Sequence, residues 1–256
     1  MTRFISAAFC FLALLITSVN AAEIAVIIDD IGYKKSDVQV LALPQEVTIA
    51  VLPHTPHGND IARKAAVQGR EVMLHIPMES LAGLKLGPGG LVSDMSEQAM
   101  RQQIALNIES LPFVVGVNNH MGSKLTQMYQ PMKVLMQELA KNDLYFVDSR
   151  TTRFTLAEGV AKEFGIKHWR RDVFLDAEQT EAFVRKQFAQ LLRTAKRTGF
   201  AVAIGHPYPE TIKVLTEEFA KLDQQISIAR VSKLPVLKAT ERYALLPSNA
   251  QQVIAD

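Results

Sequence analysis

Short apolar runs rich in β-formers alternate with longer stretches of helical period along most of the chain, and this alternation constrains the fold most. The runs span 23–28, 47–52, 71–76, 113–117, 144–147, 166–169, 200–204 and 226–229. Several are apolar throughout rather than at alternate positions, as in parallel strands covered on both faces. Between them Met100, Ile104, Ile108 and Leu111 recur at helical spacing, as do Met132, Leu135, Met136 and Leu139. Thr180, Val184, Phe188, Leu191 and Ala195 make a third stripe, and Ile212, Leu215, Phe219 and Leu222 a fourth; all read as helix faces turned to a core. Asn142-Asp143 and Gly199 stand where a helix should stop before the next strand. Seven or eight such cycles predict an α/β fold, a distorted (β/α) barrel of parallel strands in a single domain. No Gly-x-Gly-x-x-Gly follows the first run, which leads instead into Asp29-Asp30, so an open dinucleotide-binding sheet fits less well.

The N-terminus has the layout of an export signal. Arg3 precedes an apolar stretch over 4–16, and Val19-Asn20-Ala21 offers a cleavage site. That stretch is shorter than the roughly 20 residues of a membrane span. The expected division is a signal peptide over 1–21, a barrel over 22–235 and a C-terminal tail over 236–256, where no periodicity is seen. The expected location is periplasmic or secreted, with no stable membrane insertion after cleavage. Cys10 is the only cysteine and would leave with the signal. The mature chain would then have no disulfide, no thiolate metal site and no cysteine nucleophile, so any metal must be held by His, Asp and Glu. With 28 basic and 26 acidic residues before Arg3 is removed, the charge is nearly balanced. Such balance leaves no electrostatic footprint for nucleic acid and no polybasic segment for lipid.

The residues with chemistry gather at strand ends. Asp29 and Asp30 close the first run, His75 the third, Asp148 the fifth and His206 the seventh, while His120 closes the segment after the fourth. In parallel barrels the C-terminal strand ends share the face that carries the active site. Two adjacent carboxylates repel when ionised and dry, so Asp29-Asp30 asks for a nearby cation. Adjacent strand residues also point to opposite faces, so the chain must bend here, and Gly32 would permit it. Asp30, His75 and His120 would make a two-histidine, one-carboxylate site open to water, suited to zinc or another divalent ion. Pro77 prevents a regular helix from His75 to Glu79, so these two do not share a helical face. Asp148 could orient another site residue, bind the metal, or cap the helix that begins near Ala157. His206, between Gly205 and Pro207, is placed to give a proton to a leaving group. His54 and His57 read as loop residues and His168 as structural. Leu86-Gly87-Pro88-Gly89-Gly90 lacks the lysine of a phosphate loop and reads as one wall of the cleft.

In combination and order, several segments resemble the divergent polysaccharide deacetylases, a branch of the metal-dependent carbohydrate deacetylases. They are Ile27-Ile28-Asp29-Asp30-Ile31-Gly32, Leu74-His75-Ile76-Pro77-Met78-Glu79, Asn118-Asn119-His120-Met121-Gly122-Ser123, Val147-Asp148-Ser149-Arg150-Thr151 and Gly205-His206-Pro207. The resemblance spans about residues 23–235 and implies a distorted (β/α) barrel. It implies that Asp29 is a general base, Asp30 a metal ligand and His206 a general acid. One position departs: Glu79 stands where ordinary deacetylases have a second histidine, and His120 would have to replace it. The expected activity is hydrolysis of an N-acetyl or O-acetyl group on an envelope or extracellular polysaccharide, with a divalent metal ion, zinc foremost. The partner is then an acetylated glycan. Glu79 motivates a rival, a non-catalytic glycan-binding or envelope-assembly protein that keeps the cleft. A metal-dependent phosphoesterase is a third reading, weakened by the shortage of basic residues beside the motifs, Arg150 excepted.

Overall fold

Each expected run contributes a parallel strand to a single sheet. The computed structural model describes residues 21–236. The rest of the expected signal peptide, through residue 20, and the expected tail from 237 onward lie outside the described residues. In chain order the elements are β1 (Ala22–Ile31), β2 (Thr48–Val51), α1 (Gly58–Val67), β3 (Val72–Met78), α2 (Glu97–Ser110), β4 (Val114–Met121) and α3 (Tyr129–Lys141). There follow β5 (Tyr145–Asp148), α4 (Ala157–Glu163), β6 (His168–Arg170), β7 (Val173–Phe174), α5 (Glu181–Thr198), β8 (Phe200–Gly205), α6 (Pro209–Phe219) and β9 (Ile226–Ile228). Local signals set several ends. Ser96 caps α2 by accepting from Ala99 N–H, Thr180 caps α5 through Phe183 N–H, and Pro209 opens α6. Gly199, at φ 85°, stops α5 as its position suggests.

The strand order is β6-β5-β4-β3-β2-β1-β8-β7, with β9 added to β1. The end strands β6 and β7 do not pair, yet only Arg171 and Asp172 separate them, about 11 Å of chain at most. The two edges therefore meet at a seam bridged by main chain, and the barrel is distorted rather than closed. The two-residue β7 was not expected; it is too short to show a period. Strands β3 and β4 run farther than their apolar stretches, pairing through His75 with Asn118 and Pro77 with His120. His75 lies within its strand as expected, and His120 lies within β4 rather than beyond it. The polar side chains of Asn118 and His120 line the barrel mouth, which is why they look like a loop in sequence.

Side-chain alternation divides the core in two. Ile24, Val26 and Ile28 of β1, Leu74 and Ile76 of β3, and Ala201 and Ala203 of β8 pack outward beneath the helices. Ala25, Ile27, Met73, Tyr145, Val147, Trp169, Val202 and Ile204 fill the barrel interior. A strand side chain two residues beyond an interior one continues on that face. Asp29 follows Ile27, His75 follows Met73, and His206 follows Ile204, so all three are carried to the mouth. Asp148 follows Phe146, an outward residue, and falls on the other face.

Candidate active site

Asp30 breaks the alternation. By parity it should point outward beside Ile28, but its backbone is left-handed (φ 60°) and the β1–β2 register shifts between Ile28 and Ile31. This bulge turns Asp30 back to the side of Asp29. The bend thus sits on Asp30 itself as well as on Gly32, whose φ is 131°. An aspartate held at positive φ costs about 1 kcal/mol or more, a strain that recurs at functional positions.

Around Asp30 Oδ1 the ligand-type atoms converge. His120 Nδ1 is 2.8 Å away and His75 Nε2 3.2 Å. The distances suit hydrogen bonds but the geometry does not, and Asp30 Oδ1 is buried without a hydrogen-bond partner. The tautomer of His75 explains why. Asn118 Nδ2 donates to Asp29 Oδ1 (2.8 Å), so Asn118 Oδ1 faces His75 Nδ1 (2.7 Å) and must accept its proton. In the neutral ring Nε2 is then a bare lone pair aimed at a carboxylate oxygen. Such an arrangement calls for positive charge between the two, as a proton or as a metal ion.

The ionisation of these groups says the same. Burial pushes the Asp29 carboxyl up, opposed by the charges of His75 and His206 and by the Asn118 amide. Burial would also raise Asp30, but its two imidazole neighbours hold it well below the usual carboxylate range. For His75, burial lowers the pKa, yet Asp29 and Asp30 reverse this and leave it raised. Asp30, His75 and His120 offer one oxygen and two nitrogens within 4.8 Å of one another. This donor set, with an orphaned buried oxygen at its centre, fits a divalent cation such as zinc. Binding would displace a proton from His75, since proton and metal compete for one lone pair.

His206 stands across the cavity. Its Nδ1 contacts Asp176 Oδ1 at 2.9 Å, while Asp176 Oδ2 accepts from the His206 backbone N–H (2.6 Å) and the Thr211 hydroxyl (2.8 Å). Nδ1 therefore carries a proton, and Nε2 faces inward, 3.7 Å from Asp30 Oδ2. Burial alone would lower the His206 pKa, but Asp176, then Asp30 and Asp29, raise it to about 9. The ring is an acid at neutral pH. A cation nearby would bring it back toward neutrality. Asp29, His75, His120 and His206 all line one cavity of about 340 Å³ at the barrel mouth, with Arg150 and Arg171 on its wall.

Asp148 lies apart from this cluster. Its oxygens accept from Arg150 N–H (2.8 Å) and the Thr155 hydroxyl (2.9 Å), so it braces the loop after β5. Glu79 also turns away from the histidines. It binds Lys124 Nζ (2.6 Å) and Ser93 N–H (2.7 Å), clamping the segments that follow β3 and β4. The loop 86–90 borders a separate depression beside Glu79 rather than the histidine cavity. His54 contacts Asn107 and His168 the Ile166 carbonyl, away from the site.

Three contributors are not singled out by sequence: Asp176, Asn118 and Arg171. Asp176 has one faint signal, a carboxylate directly after the apolar Val173-Phe174-Leu175. Asn118 is hidden in a segment that looks like a turn. Arg171 sits in the barrel seam, its guanidinium 4.8 Å over the Phe174 ring, where its charge reaches Asp29.

The chain that folds into this parallel β/α barrel, with the carboxylate–imidazole cluster at its mouth, belongs to the divergent polysaccharide deacetylase family, whose sequence profile matches residues 26–235. The fold is deacetylase-like. The chain is 40% identical over 228 residues to YibQ, an uncharacterized protein of Escherichia coli K12, covering 89% of this chain and 72% of that one. It is 35% identical over 227 residues to an uncharacterized protein of Haemophilus influenzae, covering 88% and 81%. Among solved structures, an uncharacterized protein from Agrobacterium tumefaciens C58 superposes with a TM-score of 0.80 at 24% identity, over 84% of this chain and 90% of that one. The catalytic domain of a peptidoglycan N-acetylglucosamine deacetylase from Eubacterium rectale has a TM-score of 0.51 at 13% identity, over 85% and 94%. At these identities the structural likeness speaks to the fold alone.

Proposed function

We propose that the protein is an exported, metal-dependent carbohydrate deacetylase acting in the periplasm on N-acetyl or O-acetyl groups of an envelope or extracellular polysaccharide. The observation that carries this reading is the meeting, in one cavity, of a three-residue metal-type donor set with a buried carboxylate on one side and a carboxylate-backed imidazole on the other. Asp30, His75 and His120 would hold the ion, zinc being the expected one. Bound there, it would supply Lewis-acid polarisation of the acyl oxygen. Asp29, held by the Asn118 amide, takes a proton from the attacking water. His206, kept protonated by Asp176, gives its Nε2 proton to the departing amine or alcohol. Asp148 acts at one remove, by fixing the loop that carries Arg150.

The test is a screen of acetylated glycans with metal-loaded protein, following acetate release. Asp29→Asn should retain metal and lose turnover by about 10²-fold or more, the usual scale for a missing base. Metal-loaded protein that binds glycan without releasing acetate would favour the non-catalytic reading suggested by Glu79. Export is checked separately, by mass spectrometry of the mature protein from the producing cell; an intact N-terminus in the cytoplasm would rule it out.

A further inference from the structure

Arg150 is a charged residue of the cavity that the chemistry above leaves unused. Its backbone is left-handed, φ 53°, a conformation that favours glycine or asparagine and strains a long side chain. Two hydrogen bonds hold it there: its N–H donates to Asp148 Oδ1 (2.8 Å) and its carbonyl accepts from Arg171 Nη2 (2.9 Å). The side chain, half-buried, lines the same cavity as Asp29, His120 and His206. Asp148 and Arg171 feel its charge. Yet among the described residues its guanidinium has no hydrogen bond and no carboxylate at ion-pair distance. Neighbouring cations differ: Lys124 pairs with Glu79 at 2.6 Å and Arg170 with Glu158 at 3.6 Å.

Arg171 is only partly engaged. Its Nε donates to the Ser149 carbonyl (2.7 Å) and its Nη2 to that of Arg150, which leaves Nη1 without a hydrogen-bond partner among the described residues. One wall of the cavity therefore presents unfilled guanidinium donors, while Asp29 and Asp30 stand among the histidines. An anion would be repelled from the carboxylates and drawn to the arginines, which fixes its orientation. A guanidinium fork matches the paired oxygens of a carboxylate or a phosphate.

We propose that Arg150, assisted by Arg171 Nη1, forms a subsite for an oxyanion carried by the acylated glycan itself, so that the preferred ligand is an acidic rather than a neutral acetylated sugar. This rests on the reading of the cavity as a glycan site and names its substrate class. Carboxylate and phosphate share the required chemistry, and two matched pairs of probes distinguish them. One pair is N-acetylmuramic acid and its methyl ester; the other is N-acetylglucosamine 6-phosphate and N-acetylglucosamine.

Affinities are measured by titration calorimetry or ligand-observed NMR, on metal-loaded protein and again after metal removal. The charged member of one pair should bind about ten-fold more tightly, the scale of a charge-assisted hydrogen bond at a partly exposed site. Arg150→Gln should abolish that preference while keeping metal stoichiometry, and Arg150→Lys, which keeps charge without the fork, should retain part of it. Equal affinity within both pairs, or no binding of any probe, overturns the proposal. So does a preference that survives Arg150→Gln, or one that disappears with the metal but not with Arg150, since the anion then sits on the ion. Binding is read without turnover. A protein that selects acidic sugars through Arg150 but never releases acetate would refute the catalytic reading and leave this one standing.

Discussion

Asp176→Asn separates the charge behind His206 from the shape that holds it. In the native protein Asp176 contacts His206 twice and accepts from Thr211 as well. Asparagine fills the same space without the charge, so burial, which lowers the His206 pKa, meets weaker opposition. The imidazole should then titrate well below about 9, with only Asp30 and Asp29 left to raise it. A histidine whose folded pKa is raised contributes stability that is complete below its unfolded pKa and fades as pH rises through the folded one. Here the window runs from about 6.5 to about 9. At about 1.4 kcal/mol per pH unit, the shift corresponds to stability on the order of 3 kcal/mol. The assay is urea unfolding between pH 6 and pH 10, on chelator-treated protein so that no cation competes with the proton-linked charge. His75, whose pKa is also raised, is present in both proteins, so the difference between the two pH dependences isolates His206. Wild type should lose stability across the window and Asp176→Asn should be flatter. Parallel curves, or a wild-type His206 ring that titrates near 6.5 by NMR, would refute the reasoning.

His75→Ala and His120→Ala should each abolish stoichiometric divalent metal by elemental analysis while unfolding stays cooperative; full metal in both variants would show the ligand set to be wrong. Asn118→Ala removes the acceptor that fixes the His75 tautomer, and metal affinity in chelator competition should fall about 10–100-fold; an unchanged affinity would mean that the ring is oriented by something else. Glu79→Gln should leave metal content intact and cost about 1 kcal/mol near neutral pH, a modest figure because Lys124 is partly exposed. Lys124 and Ser93 hold the Glu79 carboxyl down to about 2, so its stabilisation is complete above about 4.5 and is lost as pH falls through about 2. Loss of metal in Glu79→Gln would make it a ligand after all.

Much of the architecture is legible in the sequence because parallel strands covered on both faces are continuous apolar runs, and the helices between them keep a 3.6-residue period. The positions of Asp29, His75, His120 and His206 at or beyond those runs follow from the same pattern. What the pattern cannot fix is which face a side chain takes when the backbone leaves regular geometry. Asp30 should point outward by alternation, and only its positive φ and the bulge in β1 bring it to the histidines. Asp148 looks equivalent to them in sequence, yet one residue of parity sends it to its own loop. Asp176 is nearly invisible, since β7 has two residues and no period, and it matters only because β7 lies against β8, which ends beside His206. Glu79 sits where the resemblance would place a ligand, but Lys124 and Ser93 arrive from other segments to claim its oxygens. Local periodicity records which residues must be buried, and so the sequence by itself determined the layers and the strands that supply the site. Register, bulges and long-range hydrogen bonds decide which polar groups finally meet, and these are properties of the assembled sheet that no single segment carries.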